Sequence, residues 1–280
     1  MLDARDAERV AGLIRETAAV ELVPRFRNLA KDEVRLKGPG DVVTVADVAA
    51  EQRLASGLAK ILPGVPVVGE EAVESDPGLL ELIGRPGERC WIVDPLDGTA
   101  HFAAGRDRFA IIVCLVEDAR TVAGWILDVP GDRLAVALAG GGVTLDGRPV
   151  SSQEWPATDR PNGLVGYRIR REFERQLPRA VRRRLGKLDT LGCAGVEYLE
   201  ILSGRWDFCL YRMIKPWDHA AGALMLTEAG GAAIQFGGAP YAPAQGREAG
   251  IIAAATPAVL GEVRRLLEAV EMPLLASKSR

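Results

Sequence analysis

The chain is poor in the side chains that soft-metal and disulfide chemistry require. Two histidines, His101 and His219, and four cysteines, Cys90, Cys114, Cys193 and Cys209, are spread over 280 residues. So sparse a set excludes a histidine-rich or cysteine-rich zinc centre. The thiols stand far apart in mainly apolar surroundings and read as reduced core residues, not as a disulfide framework. No apolar run approaches the roughly 20 residues that span a bilayer. The start, Met1 to Asp6, lacks the basic start and apolar block of a secretory signal. A net charge of −3 gives no global attraction for nucleic acid or anionic lipid. These absences predict a cytoplasmic chain whose partners include neither a nucleic-acid polymer nor a membrane.

What is present is ample for a core: 48% of residues are hydrophobic and 26% charged, fitting one large domain or two lobes. The organising stretch is Trp91-Ile92-Val93-Asp94-Pro95-Leu96-Asp97-Gly98-Thr99-Ala100-His101-Phe102. Apolar Trp91 to Val93 predicts a buried strand delivering two carboxylates to its C-terminal end, with Pro95 stopping it for want of an amide donor. Asp97-Gly98-Thr99 predicts a tight bend into a helix. Hard cations such as Mg2+ favour carboxylate and carbonyl oxygens. Free amides at a bend or helix start favour phosphate. One short stretch offers both, which points to metal-assisted phosphate chemistry.

Before it, helical spacing covers residues 3 to 30, ending near Pro24 or a little beyond. Lys37 to Gly40 reads as a loop, and Asp41 to Asp47 leads into a helix closed by Pro63-Gly64. Val65 to Val68 is a short strand with Gly69-Glu70-Glu71 at its end, and Glu74 to Glu88 is an exposed acidic excursion. After it come antiparallel strands at Phe109–Val116, Thr121–Val129 and Arg133–Leu138. Polar, Pro-containing Ser151 to Pro161 separates an α+β lobe, residues 1–155, from an α/β lobe, residues 156–280. The second lobe alternates strands with helices at Glu172–Leu185, Ala194–Ser203, Asp218–Ala229 and Pro257–Val270.

Four acidic positions fall at element junctions: Glu70, Asp94, Asp97 and Asp218. Taken singly, Asp218 reads as a helix N-cap, Glu70-Glu71 as a solvated loop, and Asp94 to Gly98 equally as an ordinary turn or a site. Each, however, is embedded in a longer phrase. Asp94-Pro95-Leu96-Asp97-Gly98-Thr99-Ala100-His101-Phe102 resembles the D-P-x-D-G-T-x-x-F signature of the inositol monophosphatase family. Trp217-Asp218-His219-Ala220-Ala221-Gly222 with Glu228-Ala229-Gly230-Gly231 resembles its second signature. Val43 to Asp47 and Gly69-Glu70-Glu71 resemble two upstream family segments. The likeness covers nearly the whole chain in the right order.

That resemblance implies a layered αβαβα sandwich of the inositol monophosphatase/fructose-1,6-bisphosphatase type and a lithium-sensitive phosphomonoesterase. It implies Glu70, Asp94, Asp97, Asp218 and the carbonyl of Leu96 as ligands of two or three Mg2+, which lower the pKa of an attacking water. Asp47, Thr99 and Glu70 are the implied catalytic residues, with Thr99, backed by Asp47, orienting the water and accepting its proton. Amides of Gly98 and Thr99 are implied to hold phosphate, and Asp218 to lie near the leaving alcohol. Lys37 is a candidate for a mobile loop over the metals or a solvated lysine. A homodimer and a small phosphorylated metabolite are the implied partners.

For the substrate, the family segment corresponds to Gly192-Cys193-Ala194, so Gly192 and Ala194 are candidate contacts through their amides. The glutamate that receives inositol hydroxyls in animal members aligns with Tyr211, which has one phenol, followed by Arg212, which only donates. Arg212, with Lys215, would favour a second anionic group. The leading expectation is hydrolysis of a small polyol or sugar phosphate, inositol monophosphatase-like. Histidinol phosphate, fructose 1,6-bisphosphate and 3′-phosphoadenosine 5′-phosphate are the alternatives, with a non-catalytic sugar-phosphate binder as another class. A haloacid-dehalogenase-type D-x-D-G-T site is rejected, because Asp94 stands three residues before Asp97, not two. The arginine-rich stretch from Arg168 to Lys187 reads as a solvated helix face.

Overall fold

A computed structural model describes residues 2–38, 41–155 and 158–268. Pro39-Gly40 of the expected loop, residues 156–157 of the expected boundary and the end of the last expected helix lie outside the described residues. Helix α1 (Ala4–Thr17) starts at Asp3, whose carboxylate accepts the Asp6 amide at 2.8 Å. It continues as a π-helical turn, Ala18–Leu22, that stops short of Pro24. Strands β1 (Val34–Gly38) and β2 (Asp41–Thr44) pair antiparallel, so Lys37 and Gly38 belong to a strand and not to the expected loop. Helix α2 (Val45–Ile61) opens on a capping box: the Thr44 hydroxyl accepts the Ala46 amide while Asp47 accepts the Thr44 amide at 2.8 Å.

Strand β3 (Val67–Gly69) runs straight into α3 (Glu70–Ser75) and a 3-10 turn, Pro77–Gly84. The acidic excursion therefore has an inward side, with Ile83 buried and Leu79 and Leu82 packed on the core. Strand β4 (Arg89–Asp97) passes through Pro95, contrary to the expectation that the proline ends it. Its pairing with β5 (Ala110–Glu117) shifts register between Asp94 and Asp97, and a proline is tolerated at such an irregularity because no ladder amide is needed. The Asp94 carboxylate accepts the Leu96 amide at 3.0 Å and fixes the bend. Gly98 then turns the chain at φ 88°, where a Cβ would stand 2.8 Å from the Arg108 carbonyl oxygen, and α4 (Thr99–Ala103) follows.

The chain next meanders through β6 (Arg120–Asp128), β7 (Arg133–Leu138), β8 (Gly142–Leu145) and β9 (Arg148–Pro149). The resulting seven-stranded sheet has the order β3-β4-β5-β6-β7-β8-β9, with β3 and β4 parallel and the rest antiparallel. The second half supplies β10 (Gly163–Val165), α5 (Tyr167–Gln176), α6 (Arg179–Arg182), β11 (Leu188–Asp189), α7 (Ala194–Leu202) and β12 (Phe208–Tyr211). It ends with α8 (Pro216–Glu228), β13 (Ala232–Ile234), β14 (Ile251–Ala254) and α9 (Pro257–Glu268). The single helix expected from Glu172 to Leu185 is two, because Pro178 forces Leu177 out of the helical region to ψ 120°. In the stretch from Arg168 to Lys187, Arg170 is paired with Asp189 and Arg184 with Glu262. The second sheet is mixed, in the order β11-β10-β12-β14-β13.

These elements stack as five layers of the αβαβα sandwich. Val10, Ile14, Leu54 and Leu58 of α1 and α2 cover one face of the first sheet, meeting Trp91, Val93 and Trp125. The other face, through Ile92, Ile112 and Ile126, meets α7 and α8, which also pack on Cys209 and Ala253 of the second sheet. Helices α5 and α9 close the outer face through Ile169, Phe173, Val259 and Val263. Alternation along β4 puts Trp91 and Val93 toward α1 and α2, and Asp94 toward α8. Contact between α7 and α8 is tight. A Cβ on Gly222 would lie 2.2 Å from ring atoms of Tyr198, a fully buried side chain held by His219 Nδ1 at 3.2 Å. Gly222→Ala is expected to cost about 1–3 kcal/mol through overpacking, read as a lower Tm. An unchanged Tm would show slack between the helices.

Candidate active site

Glu70 begins α3 at the end of β3, Asp94 and Asp97 lie on β4, and Asp218 is in the first turn of α8. Carboxylate oxygens of Glu70, Asp94 and Asp218 lie within 4.8 Å of one another. These three, with Leu96, Asp97, Gly98, Thr99 and Lys215, line an open cavity of about 170 Å³. Asp47 is not in its lining but stands behind Thr99. Thr99 Oγ1 is 2.9 Å from Asp47 Oδ1 and 2.8 Å from the Leu96 carbonyl oxygen. A hydroxyl has one hydrogen, so Thr99 serves one of these acceptors at a time. The other Asp47 oxygen closes the capping box, accepting the Thr44 hydroxyl at 2.6 Å as well as the Thr44 amide.

Several of these positions are held by neighbours that spacing alone does not reveal. Glu51 of α2 accepts the amides of Glu71 and Ala72 at 2.8 Å, capping α3 where Gly69 has no side chain to do so. Glu71 in turn receives Lys37 Nζ at 2.6 Å, which ties the β1–β2 hairpin to the site. Asp97 Oδ2 accepts the Gly195 amide at 2.6 Å and the Cys193 thiol at 3.1 Å, so it caps α7 from another element. Phe102 anchors α4 from behind, its ring centroid 5.0 Å from Phe109 in an edge-on contact.

The expected substrate contacts have partners within the protein. The Gly192 amide donates to Glu197 at 3.2 Å, and the Ala194 amide is turned to Asp97. The Tyr211 hydroxyl donates to Glu197 and is not a free phenol facing the cavity. Arg212 is half-buried, and none of these four residues lines the 170 Å³ cavity. Glu197, fully buried, accepts from Leu191 at 2.6 Å, from Gly192, from Thr190 and from Tyr211. Sequence reasoning missed Glu197 and Glu51. Their signal was an acid inside an otherwise apolar helical face, as in Ala194-Gly195-Val196-Glu197-Tyr198-Leu199.

Burial and crowding together make this cluster electrostatically strained. Burial raises Asp94 well above the usual carboxylate range, and the charges of Glu70, Asp97 and Asp218 add to it. Burial likewise raises Asp97, against donors from Gly195 and Cys193. Asp218 is pushed up to about 8, chiefly by burial, with Lys215 opposing. Asp47 is pushed up to about 7 by burial, against the hydrogen bonds of Thr44 and Thr99. An all-oxygen donor set under such repulsion fits a hard divalent cation, which would neutralise it.

A pH dependence follows. Between pH 6.5 and 8 the folded chain keeps protons on Asp47 and Asp218 that the unfolded chain, with these groups near 3.8, has already lost. Stability therefore falls as pH rises through this window. His219, buried and held down to about 3, works the other way: at pH 6.5 the unfolded chain still binds about half a proton there, so its small contribution rises with pH and offsets only part of the fall from the two carboxyls. In chelator, Tm is expected to drop from pH 6.5 to 8, and added Mg2+ to shrink the drop. A rise in calorimetry would contradict this electrostatic account.

The sequence model of the inositol monophosphatase family matches residues 4–271. An inositol-1-monophosphatase of Rhizobium meliloti is 32% identical over 218 residues, covering 76% of this chain and 79% of that protein. A fructose-1,6-bisphosphatase/inositol-1-monophosphatase of Thermotoga maritima is 29% identical over 208 residues, covering 74% and 77%. A solved Thermotoga maritima IMPase superposes with a TM-score of 0.74 at 25% identity, over 92% of this chain and 96% of its own. Among the described residues no helix is long and apolar enough to cross a membrane.

Proposed function

This chain belongs to the inositol monophosphatase family, and from that membership we propose that it is a Mg2+-dependent phosphatase of a small polyol or sugar phosphate. The observation that carries the reading is the Glu70, Asp94 and Asp218 cluster beside a Thr99 hydroxyl backed by a carboxylate near pKa 7. Glu70, Asp94, Asp97, Asp218 and the Leu96 carbonyl would hold two or three Mg2+. Bound there, the cations supply positive charge to the phosphate and acidity to a water.

The chain's own groups do the rest. Thr99 Oγ1 holds the attacking water by accepting its proton while passing its own hydrogen to Asp47 Oδ1, a base poised near neutrality. Backbone amides of Gly98 and Thr99, at the start of α4, hold phosphate oxygens. Asp218 stands by the leaving alcohol. The Glu197–Tyr211 pair fixes the Gly192 segment, so the phenol is engaged by a buried carboxylate and its part in substrate binding would be to hold that segment in place. A homodimer belongs to the same proposal.

The test is phosphate release with Mg2+ from inositol 1-phosphate, histidinol phosphate, fructose 1,6-bisphosphate and 3′-phosphoadenosine 5′-phosphate, each with lithium and with chelator. Release from a polyol or sugar phosphate, lost in chelator and inhibited by lithium, is the expected outcome. A relative named for both fructose-1,6-bisphosphatase and inositol-1-monophosphatase makes the first and third substrates the central comparison. No release from any substrate by protein that binds Mg2+ would favour the non-catalytic reading.

A further inference from the structure

We infer that the Lys215 ammonium is a resident counter-ion that holds one cation position of the acidic cluster and must leave when a divalent ion takes that position. The inference rests on the cluster being a cation site, as in the proposed function, and goes beyond it in giving the chain its own competitor.

Lys215 Nζ donates to Glu70 Oε1 at 2.6 Å, and the two side chains are only 27% and 15% exposed. The ammonium shares the 170 Å³ cavity with Asp94, Asp97 and Asp218, and its charge draws the carboxyl pKa of Asp94 and of Asp218 downward. It is thus a cation among four carboxylates. Its backbone position is otherwise unfavourable for one. Lys215 is the N-cap of α8, with Pro216 fixing the next residue, and a positive charge at a helix N-terminus opposes the helix dipole. Such a lysine is stable here only because the carboxylates offset that repulsion.

An exit also exists. Lys215 and Glu70 form the shared wall between the acidic cavity and a larger cleft of about 560 Å³, lined in part by Glu74, Leu80, Trp217 and Arg247. The ammonium already lies 5.4 Å from the Trp217 ring centroid, on the side of that cleft. Rotation of its flexible stem toward Glu74 trades Glu70 for a second carboxylate while keeping the aromatic face. Glu70 is then released to coordinate an ion. The exchange is electrostatic, one charge for another, with no covalent step.

Two measurements test this without turnover. Free Mn2+ is followed by electron paramagnetic resonance in titrations of the wild-type chain and of Lys215→Met, which keeps the stem and removes the charge. The variant is expected to bind about one more Mn2+ per chain, or to bind about tenfold more tightly, as the loss of a nearby positive charge requires. Superimposable isotherms would overturn the inference while leaving the cation site intact. Absence of Mn2+ binding to the wild-type chain would remove both. Should the variant not fold, reductive methylation of the wild-type protein decides alone, mapped by peptide mass spectrometry. Lys215 is expected to react several-fold faster in saturating Mg2+ than in chelator; equal or slower reaction would overturn the inference.

Discussion

Asp94→Asn is expected to abolish phosphate release and, at the same time, to raise the Tm of the metal-free protein. Asp94 is 1% exposed and faces Glu70, Asp97 and Asp218, whose charges and its own burial raise its pKa well above the ordinary range. In the absence of a cation its ionised form is therefore a burden on the folded state near neutral pH. Asparagine carries no charge and still offers an oxygen to the Leu96 amide, so the bend at Pro95 survives. Relief of repulsion should appear as a gain of about 2–4 °C for each kcal/mol recovered. Function moves the other way, because the amide is a poor ligand for a hard cation. Loss of several kcal/mol of charge stabilisation corresponds to a rate reduction on the order of 10³-fold or more. Phosphate release, Mn2+ titration and calorimetry in chelator report the effects separately. Retained turnover in folded variant would remove Asp94 from the site, and a lowered Tm in chelator would refute the repulsion.

The contrast between these effects shows what was legible in the sequence. Carboxylates at element ends were readable because a strand end or helix start must present its side chain at one edge of the sheet. Glu70, Asp94 and Asp218 indeed converge there. The Thr44-x-x-Asp47 box was not singled out in the sequence, although it is a local pattern with both partners in one turn. The partners of Glu51 and Glu197 were not readable, because the amides they accept are delivered by a different element or by a loop whose path is set by packing. For the same reason the resemblance could set Tyr211 at a substrate-facing position, but its commitment to Glu197 of α7 could not be anticipated. Proline behaved by context. Pro178 broke a helix as its chemistry requires, whereas Pro95 sat in a register shift where a missing amide costs nothing.

Thr99→Ala is expected to keep cation binding and lose rate, in kcat more than in KM, on the order of 10²- to 10⁴-fold. Its hydroxyl is the contact joining the cavity to Asp47, since Asp47 itself is 2% exposed and outside the cavity lining. Without the hydroxyl, a proton released in the cavity has no relay to that carboxylate. Alanine also removes one hydrogen bond that favours the ionised form of Asp47, so its pKa should climb further above about 7. The associated stability loss is about 1 kcal/mol, since Thr44 continues to satisfy the other oxygen of Asp47. Thr99→Ser restores the donor and should recover most of the rate, whereas Thr99→Val, which keeps the shape, should not. A purely structural threonine would give the reverse order, because valine fills the space and serine leaves a gap. Equal losses in Mn2+ affinity and rate across all three variants would place Thr99 among the groups that hold the cluster together, and would end its assignment as the proton relay.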